Sequence, residues 1–500
     1  MSRKMSGRRA AQRVASSHLA VLFAAAMPLL AGVASLMAQP ATAVSSRDSV
    51  RDAVHDRLAA LLAEVPQGTT VGLVVANSAD GATWFTQEAS QPLKPASVMK
   101  LFTTTAALER FGPDFTYRTE LYVHNDELLV IGSGDPGLGD ERIAGRHDRP
   151  LHGEFDLWTK LLKQRGVTTL KTIVLDDAIF ERKTRHEYWP PDENEAWYQA
   201  PVGGINFNDN CLDARVSVAG DAIELALQPP LPTSFFCNML TLSSEHAPVV
   251  RRRLHEDVFQ FSGTVARDDR LEPIAVGRPT VLFGHALRHA LKMRGIPVTE
   301  NVVRRTITPA ALDEAELLTV HTTGLRDVLW RINTFSQNLF ADCLLKSLAA
   351  YNPDGTRSGK PGSWAGGKEV LKATLQGLGL DLSAATLRDG SGLSHHNRLT
   401  AEQIAQLLLT VRRHRYGPLL IQTMAQPGEP GTMQRRYTTP VVRGHIRAKT
   451  GTLSGVRSLA GYASRGDGLT LVFALLINGE PPPDLPTRVA EVLVQAGIEK

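Results

Sequence analysis

Three short clusters in this 500-residue chain hold side chains suited to activating a serine hydroxyl. In Lys94-Pro95-Ala96-Ser97-Val98-Met99-Lys100, Ser97 and Lys100 stand three residues apart. On a helix beginning near Pro95 they share a face, so the amine reaches the hydroxyl. Serine is a weak nucleophile until a base removes its proton, and a nearby neutral amine is one such base. Ser-x-x-Lys occurs at no other serine of the chain. Taken alone it equally describes a serine capping a helix. Ser336-Gln337-Asn338 opens a second helical segment, Asn338 to Ala349, in which Leu339, Phe340, Cys343, Leu344 and Leu348 are spaced for one core face. Lys449-Thr450-Gly451 follows the extended run Gly444 to Ala448, precedes Thr452 and reads as part of a strand. Each triplet is a weak signal. Their order, on helix start, helix start and strand, is a strong one.

These clusters need a scaffold, and the two ends of the chain suggest it. Ser46 to Val65 repeats Val50, Val54, Leu58, Leu61 and Leu62 at helical spacing, and Thr70 to Ala76 reads as a buried strand. Leu469 to Ile477 and Thr487 to Ala496 repeat the pair as strand, then helix. The termini are therefore expected to build one domain, and the middle to be an insertion. Within the chain a helix, a glycine stop and an extended run recur in Leu157 to Leu175 with Gly166, Leu282 to Thr306 with Gly295, and Val370 to Arg388 with Gly377. Glycine in the left-handed conformation commonly ends a helix, so the plan is a recurring α–β unit and the fold class α+β.

Composition narrows the function. The chain is 43% hydrophobic and 21% charged, an ordinary globular balance, and its length exceeds a single simple core. Arg3, Lys4, Arg8, Arg9 and Arg13 all fall in the first 43 residues, which hold no acid, so the remainder is near neutral. A nucleic-acid partner would require a basic excess in the folded part, and there is none. The basic start, the apolar run Leu19 to Ala38 and Ala41-Thr42-Ala43 read as a secretory signal peptide, residues 1–43. The alternative is an uncleaved anchor, since about 20 apolar residues span a bilayer. Pro28 and the small-x-small site favour cleavage and leave no stable membrane span. Three cysteines are too few for a disulfide scaffold; Cys211 and Cys237 are the expected pair if one bridge forms, and Cys343 reads as a buried thiol. The 15 histidines include no H-E-x-x-H, so no metal is expected. Gly132 to Gly137 satisfies G-x-G-x-x-G, but Pro136 and Gly139-Asp140 spoil the helix a dinucleotide needs, and the run reads as a turn.

With Ser97-x-x-Lys100, Ser336-x-Asn338 and Lys449-Thr450-Gly451 in order, the chain resembles the penicillin-recognising serine acyl-transferases. More closely, it resembles the serine D-Ala-D-Ala carboxypeptidase/endopeptidase family of the penicillin-binding protein 4 type, in which a large insertion separates the first two motifs. Gly132 to Pro136, Asp389 to Ser394 and Arg447 to Tyr462 add to the match, and Ala341-Asp342 departs from the family's usual Ala-Glu. The resemblance implies a five-stranded antiparallel sheet flanked by helices beside a helical subdomain, with inserted α+β modules. Residues 44–118 and 319–500 would form the catalytic domain and 119–318 the insertion. It further implies Ser97 as nucleophile, Lys100 as base, Ser336 and Asn338 as catalytic partners, and Lys449, Thr450, Gly451 and Thr452 as the substrate-binding strand. A basic Lys100 needs its amine lowered by burial and a nearby cation, for which Lys449 is the candidate. No cofactor is implied. Peptidoglycan stem peptides and cross-links would be the substrates, β-lactams covalent inhibitors, and the cell envelope or periplasm the location. A β-lactamase and a non-catalytic wall-binding or sensor protein are the rivals. The absence of a Glu-x-x-Leu-Asn segment weighs against the first, and the completeness of the motifs against the second. Oligomeric state stays open.

Overall fold

The computed structural model describes residues 41–253 and 257–497. The expected export segment lies outside the described residues apart from Ala41 to Ala43, which begin helix α1 (Ala41–Ala63). The chain divides between Arg47 and Asp48, and the unit from Asp48 onward holds all the sheets among the described residues and the candidate site. Among the described residues no helix is long and apolar enough to cross a membrane.

The two ends of this second unit meet in one antiparallel sheet. Its strands are β1 (Thr70–Asn77), β2 (Thr83–Gln87), β3 (Ile446–Leu453), β4 (Val456–Ser464) and β5 (Thr470–Asn478), in the order β3-β4-β5-β1-β2. β1 pairs with β5 from Thr70↔Asn478 to Asn77↔Leu471. An antiparallel sheet commonly keeps one wet face with alternating polarity. Here β1 and β5 are almost continuously apolar because both faces are covered. Leu73, Val75, Phe473 and Leu475 pack with Val54 and Leu58 of α1 and with Val489 and Leu493 of the last helix. Val74, Val472 and Leu476 pack on the other side against a second, largely helical core.

That helical core holds α2 (Lys100–Phe111), α3 (Leu325–Phe335), α4 (Asn338–Ala350), α5 (Trp364–Gly377) and α6 (Ala401–Arg413). α2 is buried on nearly every side, which fits its run of Leu, Phe, Thr and Ala with charge only at its ends. The intervening chain departs along Thr116–His124 and returns along Glu316–Gly324; the two pair antiparallel from Thr116↔Gly324 to Val123↔Glu316. They belong to a second five-stranded sheet that continues through Glu127–Ile131, Thr172–Asp176 and Val302–Arg304. Smaller sheets carry the residues from Cys211 to Ala275.

Two of the three helix–glycine–strand units form as expected, with Gly166 (φ +76°) and Gly295 (φ +86°) ending helices whose following strands, Thr172–Asp176 and Val302–Arg304, lie side by side in parallel. The third does not. Gly377 is still helical, Gly379 takes the positive φ of 84°, and only a bridge between Thr386 and Arg398 follows. No neighbouring strand is available there, so the segment becomes a loop. The expected Cys211–Cys237 bridge is also absent: Cys211 is buried, Cys237 is exposed on the separate sheet strand Phe236–Leu242, and both are free thiols. Closeness in sequence did not place them together. Cys343 is buried in α4, and burial pushes its thiol well up from the ordinary range.

Candidate active site

Ser97 sits in a single 3-10 turn, Ala96–Met99, that leads directly into α2. The turn is pinned from below by β4, whose Ser458 hydroxyl donates to the Pro95 carbonyl at 2.7 Å. Ala96 holds a positive φ of 46°, and Ser336, between α3 and α4, one of 63°. Such conformations cost on the order of 1–3 kcal/mol for a residue with a Cβ and persist only where surroundings enforce them.

The three sequence clusters converge on one cleft of about 520 Å³, which Ser97, Ser336, Asn338, Thr450 and Thr452 line together. Lys100 and Lys449 lie beneath that surface, both fully buried. Gly451 is also in the layer below: a Cβ there would stand 2.1 Å from Ser458 Oγ and 2.9 Å from the Ser97 amide nitrogen. Glycine therefore lets β3 press against the Ser97 turn.

Around Lys100 the hydrogen bonds are specific. Its Nζ lies 2.9 Å from Ser97 Oγ, 2.6 Å from Asn338 Oδ1 and 2.6 Å from the Ser391 carbonyl oxygen. Asn338 in turn donates its Nδ2 to the Tyr198 carbonyl at 2.8 Å, which fixes the amide with its oxygen toward the amine. Burial lowers the Lys100 amine from its ordinary value of 10.5 to about 7, against the opposing pull of Asp342 and Asp389. Lys449 lies close enough for the two amines to repel when both are charged, and its own amine is held well down by burial, then by Lys100, then by Arg436. Its Nζ donates to Ser336 Oγ at 2.8 Å and to its neighbour's carbonyl, Thr450 O, at 2.8 Å.

Several participants carry no motif. The loop Asp389 to Ser394 brings the Ser391 carbonyl to Lys100 and its Gly390 carbonyl to the Thr103 hydroxyl, 2.8 Å away. Gly392 (φ +82°) approaches so closely that a Cβ would sit 1.9 Å from the Ala96 carbonyl. Asp342 is wholly buried below this loop. Arg436 and Thr432 come to the cleft from a loop between α6 and β3, and Glu193, Tyr198 and His395 form another part of its wall. Of these, three had a signal in the sequence: Asp389 to Ser394 as a run matching the family, Asp342 as a departure from the family's Ala-Glu, and His395 as one of an adjacent histidine pair following that turn.

The sequence profile of the D-Ala-D-Ala carboxypeptidase 3 (S13) family matches residues 54–496, nearly all of the folded unit. This chain belongs to that family. Among its relatives is a D-alanyl-D-alanine carboxypeptidase of Actinomadura sp. (strain R39), 28% identical over 512 residues that cover 96% of this chain and 89% of the relative. The solved structure of penicillin binding protein 4 (dacB) from Haemophilus influenzae superposes with a TM-score of 0.71 at 24% identity, covering 87% of this chain and 97% of that one. The same protein complexed with a novel β-lactam gives a TM-score of 0.65 at 22% identity, covering 87% and 98%. The S13 fold is thus the penicillin-recognising fold expected from the motifs, with α and β elements around an antiparallel sheet.

Proposed function

We propose that this serine-type D-Ala-D-Ala carboxypeptidase works through an acyl-enzyme on Ser97, with Lys100 as the base. One observation carries the assignment of the base. Two of the three groups on Lys100 Nζ, Asn338 Oδ1 and the Ser391 carbonyl, can only accept hydrogen bonds. A neutral amine has two N–H bonds and one lone pair. Both N–H bonds are committed to those carbonyls, so the lone pair is left facing the Ser97 hydroxyl 2.9 Å away. That is the arrangement a general base requires.

Ser97 Oγ attacks the carbonyl of the penultimate D-Ala while its proton passes to Lys100 Nζ. The oxyanion is received by backbone N–H groups, those of Ser97 and Thr452, each such donor being worth about 3 kcal/mol of transition-state stabilisation. As the C–N bond breaks, the departing D-Ala amine takes a proton through Ser336, which Lys449 holds by its hydroxyl at 2.8 Å. Water then cleaves the Ser97 ester. Thr450, backed by the buried Lys449 and flanked by Arg436, receives the substrate's terminal carboxylate. Asn338 keeps one amide hydrogen for a substrate carbonyl after serving Tyr198.

The physiological substrate is the peptidoglycan stem peptide, reached after export to the cell envelope, and a D-Ala–diaminopimelate cross-link is open to the same attack as an endopeptidase reaction. A β-lactam presents an equivalent amide whose leaving nitrogen stays tethered, so it acylates Ser97 and persists. Residues 119–318 form the inserted part, joined to residues 44–118 and 319–500 through the paired strands Thr116–His124 and Glu316–Gly324.

The test is incubation of the protein and its Ser97→Ala variant with labelled penicillin and with a D-Ala-D-Ala stem peptide. Covalent labelling and D-Ala release, both lost in the variant, are expected. Rapid penicillin turnover without peptide cleavage would mean a β-lactamase. Neither reaction in folded protein would mean a binding role.

A further inference from the structure

Lys100 is positioned by a loop that makes no hydrogen bond to the Ser97 side chain, and the loop is itself gripped by two buried carboxylates. Asp342 Oδ1, one turn into α4, accepts the Gly390 N–H at 2.8 Å, immediately before Ser391, whose carbonyl meets Lys100. Asp389 Oδ1 accepts the Gly392 N–H at 2.8 Å and Oδ2 the Ser394 N–H at 2.7 Å. Each carboxylate also receives an indole N–H at 2.9 Å, Asp342 from Trp364 of α5 and Asp389 from Trp189. Both aspartates are 0% exposed. A carboxylate in such a place is costly unless its lone pairs are filled and a compensating cation lies close; both oxygens of Asp389 are bonded, whereas Asp342 takes both of its N–H groups on Oδ1 and leaves Oδ2 without a hydrogen-bond partner.

We propose that Asp342 is a positioning residue for the base: it holds Gly390 so that Ser391 presents its carbonyl to Lys100, and it supplies the buried negative charge against which the Lys100 proton is taken up and released. This rests on the reading of Lys100 as base. Several of the surrounding elements contribute titratable or charged groups to the neighbourhood. α2 contributes Lys100 and α4 contributes Asp342 and Lys346. Asp389 comes from the loop and Lys368 from α5, His186 and Glu181 from the chain before α3, and Lys449 from β3. Of these, Asp342 and Asp389 are the ones that favour the protonated Lys100. Asp342 is raised by burial and then by Asp389, so its charge and that of the amine titrate as a coupled pair.

Charge sets the direction of the effect. Asp342→Asn keeps an oxygen for the Gly390 and Trp364 N–H groups but removes the charge that favours ammonium. Lys100 then stays neutral to lower pH, and the acid limb of penicillin acylation (kcat/KM-type rate against pH) moves down by about one unit. The Asp342→Glu variant, which restores the charge, should bring the limb back toward that of the parent. Trp364→Phe removes an N–H that favours the charged carboxylate and should move the limb the same way by a smaller amount. An acid limb that stays fixed in folded Asp342→Asn, while labelling still depends on Ser97, overturns the proposal. If Asp342→Asn does not fold, a fixed limb in Trp364→Phe overturns it. Labelling that survives Ser97→Ala would instead defeat the underlying catalytic reading, so the two failures are separable.

Discussion

Two lysines are buried in the helical core, and only one of them sits under the cleft. Lys100 and Lys346 are both 0% exposed, and burial lowers both amines, to about 7 and about 8 respectively. Their surroundings differ in kind. Lys346, on α4, donates to the Lys183 carbonyl at 2.7 Å, has Glu181 Oε1 at 3.5 Å and lies 3.6 Å above the Trp364 ring. Every one of these partners welcomes a cation and none offers a proton. Lys100 has two carbonyl acceptors and a hydroxyl, so its neutral form is the one fully used. Burial alone therefore does not make a base; the third ligand decides whether the lone pair has a task.

The largest expected effect that would break this contrast is at Lys100. Lys100→Met keeps the stem and removes the amine, and acylation by labelled penicillin should fall by ~10²–10⁴-fold, the usual contribution of a general base. A fall of less than tenfold, measured by the rate of label incorporation, would place the base elsewhere.

Changing an acceptor sharpens the contrast by making the Lys100 site resemble its counterpart. Asn338→Asp puts a carboxylate where Asn338 Oδ1 stands 2.6 Å from the amine. The charged partner favours ammonium, so the acid limb of the acylation profile should rise by about 1–3 units, and activity near neutrality should drop accordingly. In the parent the rate should climb with pH through about 7, where Lys100 loses its proton. A profile flat across that value, from well below it to well above, would contradict both statements.

Lys346→Met asks the opposite question. The unbranched thioether replaces the stem, while the cation over Trp364 and the partner of Glu181 are lost. Stability in urea should fall by about 1–3 kcal/mol, and acylation should stay within a few-fold of the parent. A loss as deep as that of Lys100→Met would show that the two amines act as one system.

Much of this site was legible because side-chain identity carried it. Ser97, Lys100, Ser336, Asn338, Thr450 and Thr452 are polar groups at helix starts and on a strand, and their types and order point to one cleft. The central sheet was legible for a similar reason, since buried strands and amphipathic helices recur at both ends. The partners that set the geometry were not. Ser391 and Tyr198 act through backbone carbonyls, which every residue possesses, and the contacts join positions far apart in the chain. Lys346 falls among Cys343, Leu344 and Leu348 with nothing to distinguish it from a surface lysine on an amphipathic helix. Asp342 was visible only as a shortened acid, while its burial and its grip on Gly390 required the fold. Gly377 and the Cys211–Cys237 pair misled because local pattern says nothing about whether a partner strand or thiol is near.

The smallest effect is in the pH dependence of stability, and it tests whether Lys346 is depressed at all. In the unfolded chain its amine titrates near 10.5, and in the folded protein near 8. Between those values the unfolded state binds a proton that the folded state does not, so stability rises with pH across the window. Below about 8 both states are protonated, and the full cost of burying the cation is present. Lys100 adds a second, overlapping window from about 7 to 10.5. Lys346→Met removes its own contribution and leaves those of Lys100 and of Lys449, whose amine is also lowered by burial. The deficit of the variant relative to the parent should therefore shrink as pH falls from 10.5 to 8, read by denaturant melts across that range. Parallel curves would mean that the Trp364 ring and Glu181 hold Lys346 at its ordinary value, and that of the two lysines buried in the helical core only the one beside Ser97 is tuned.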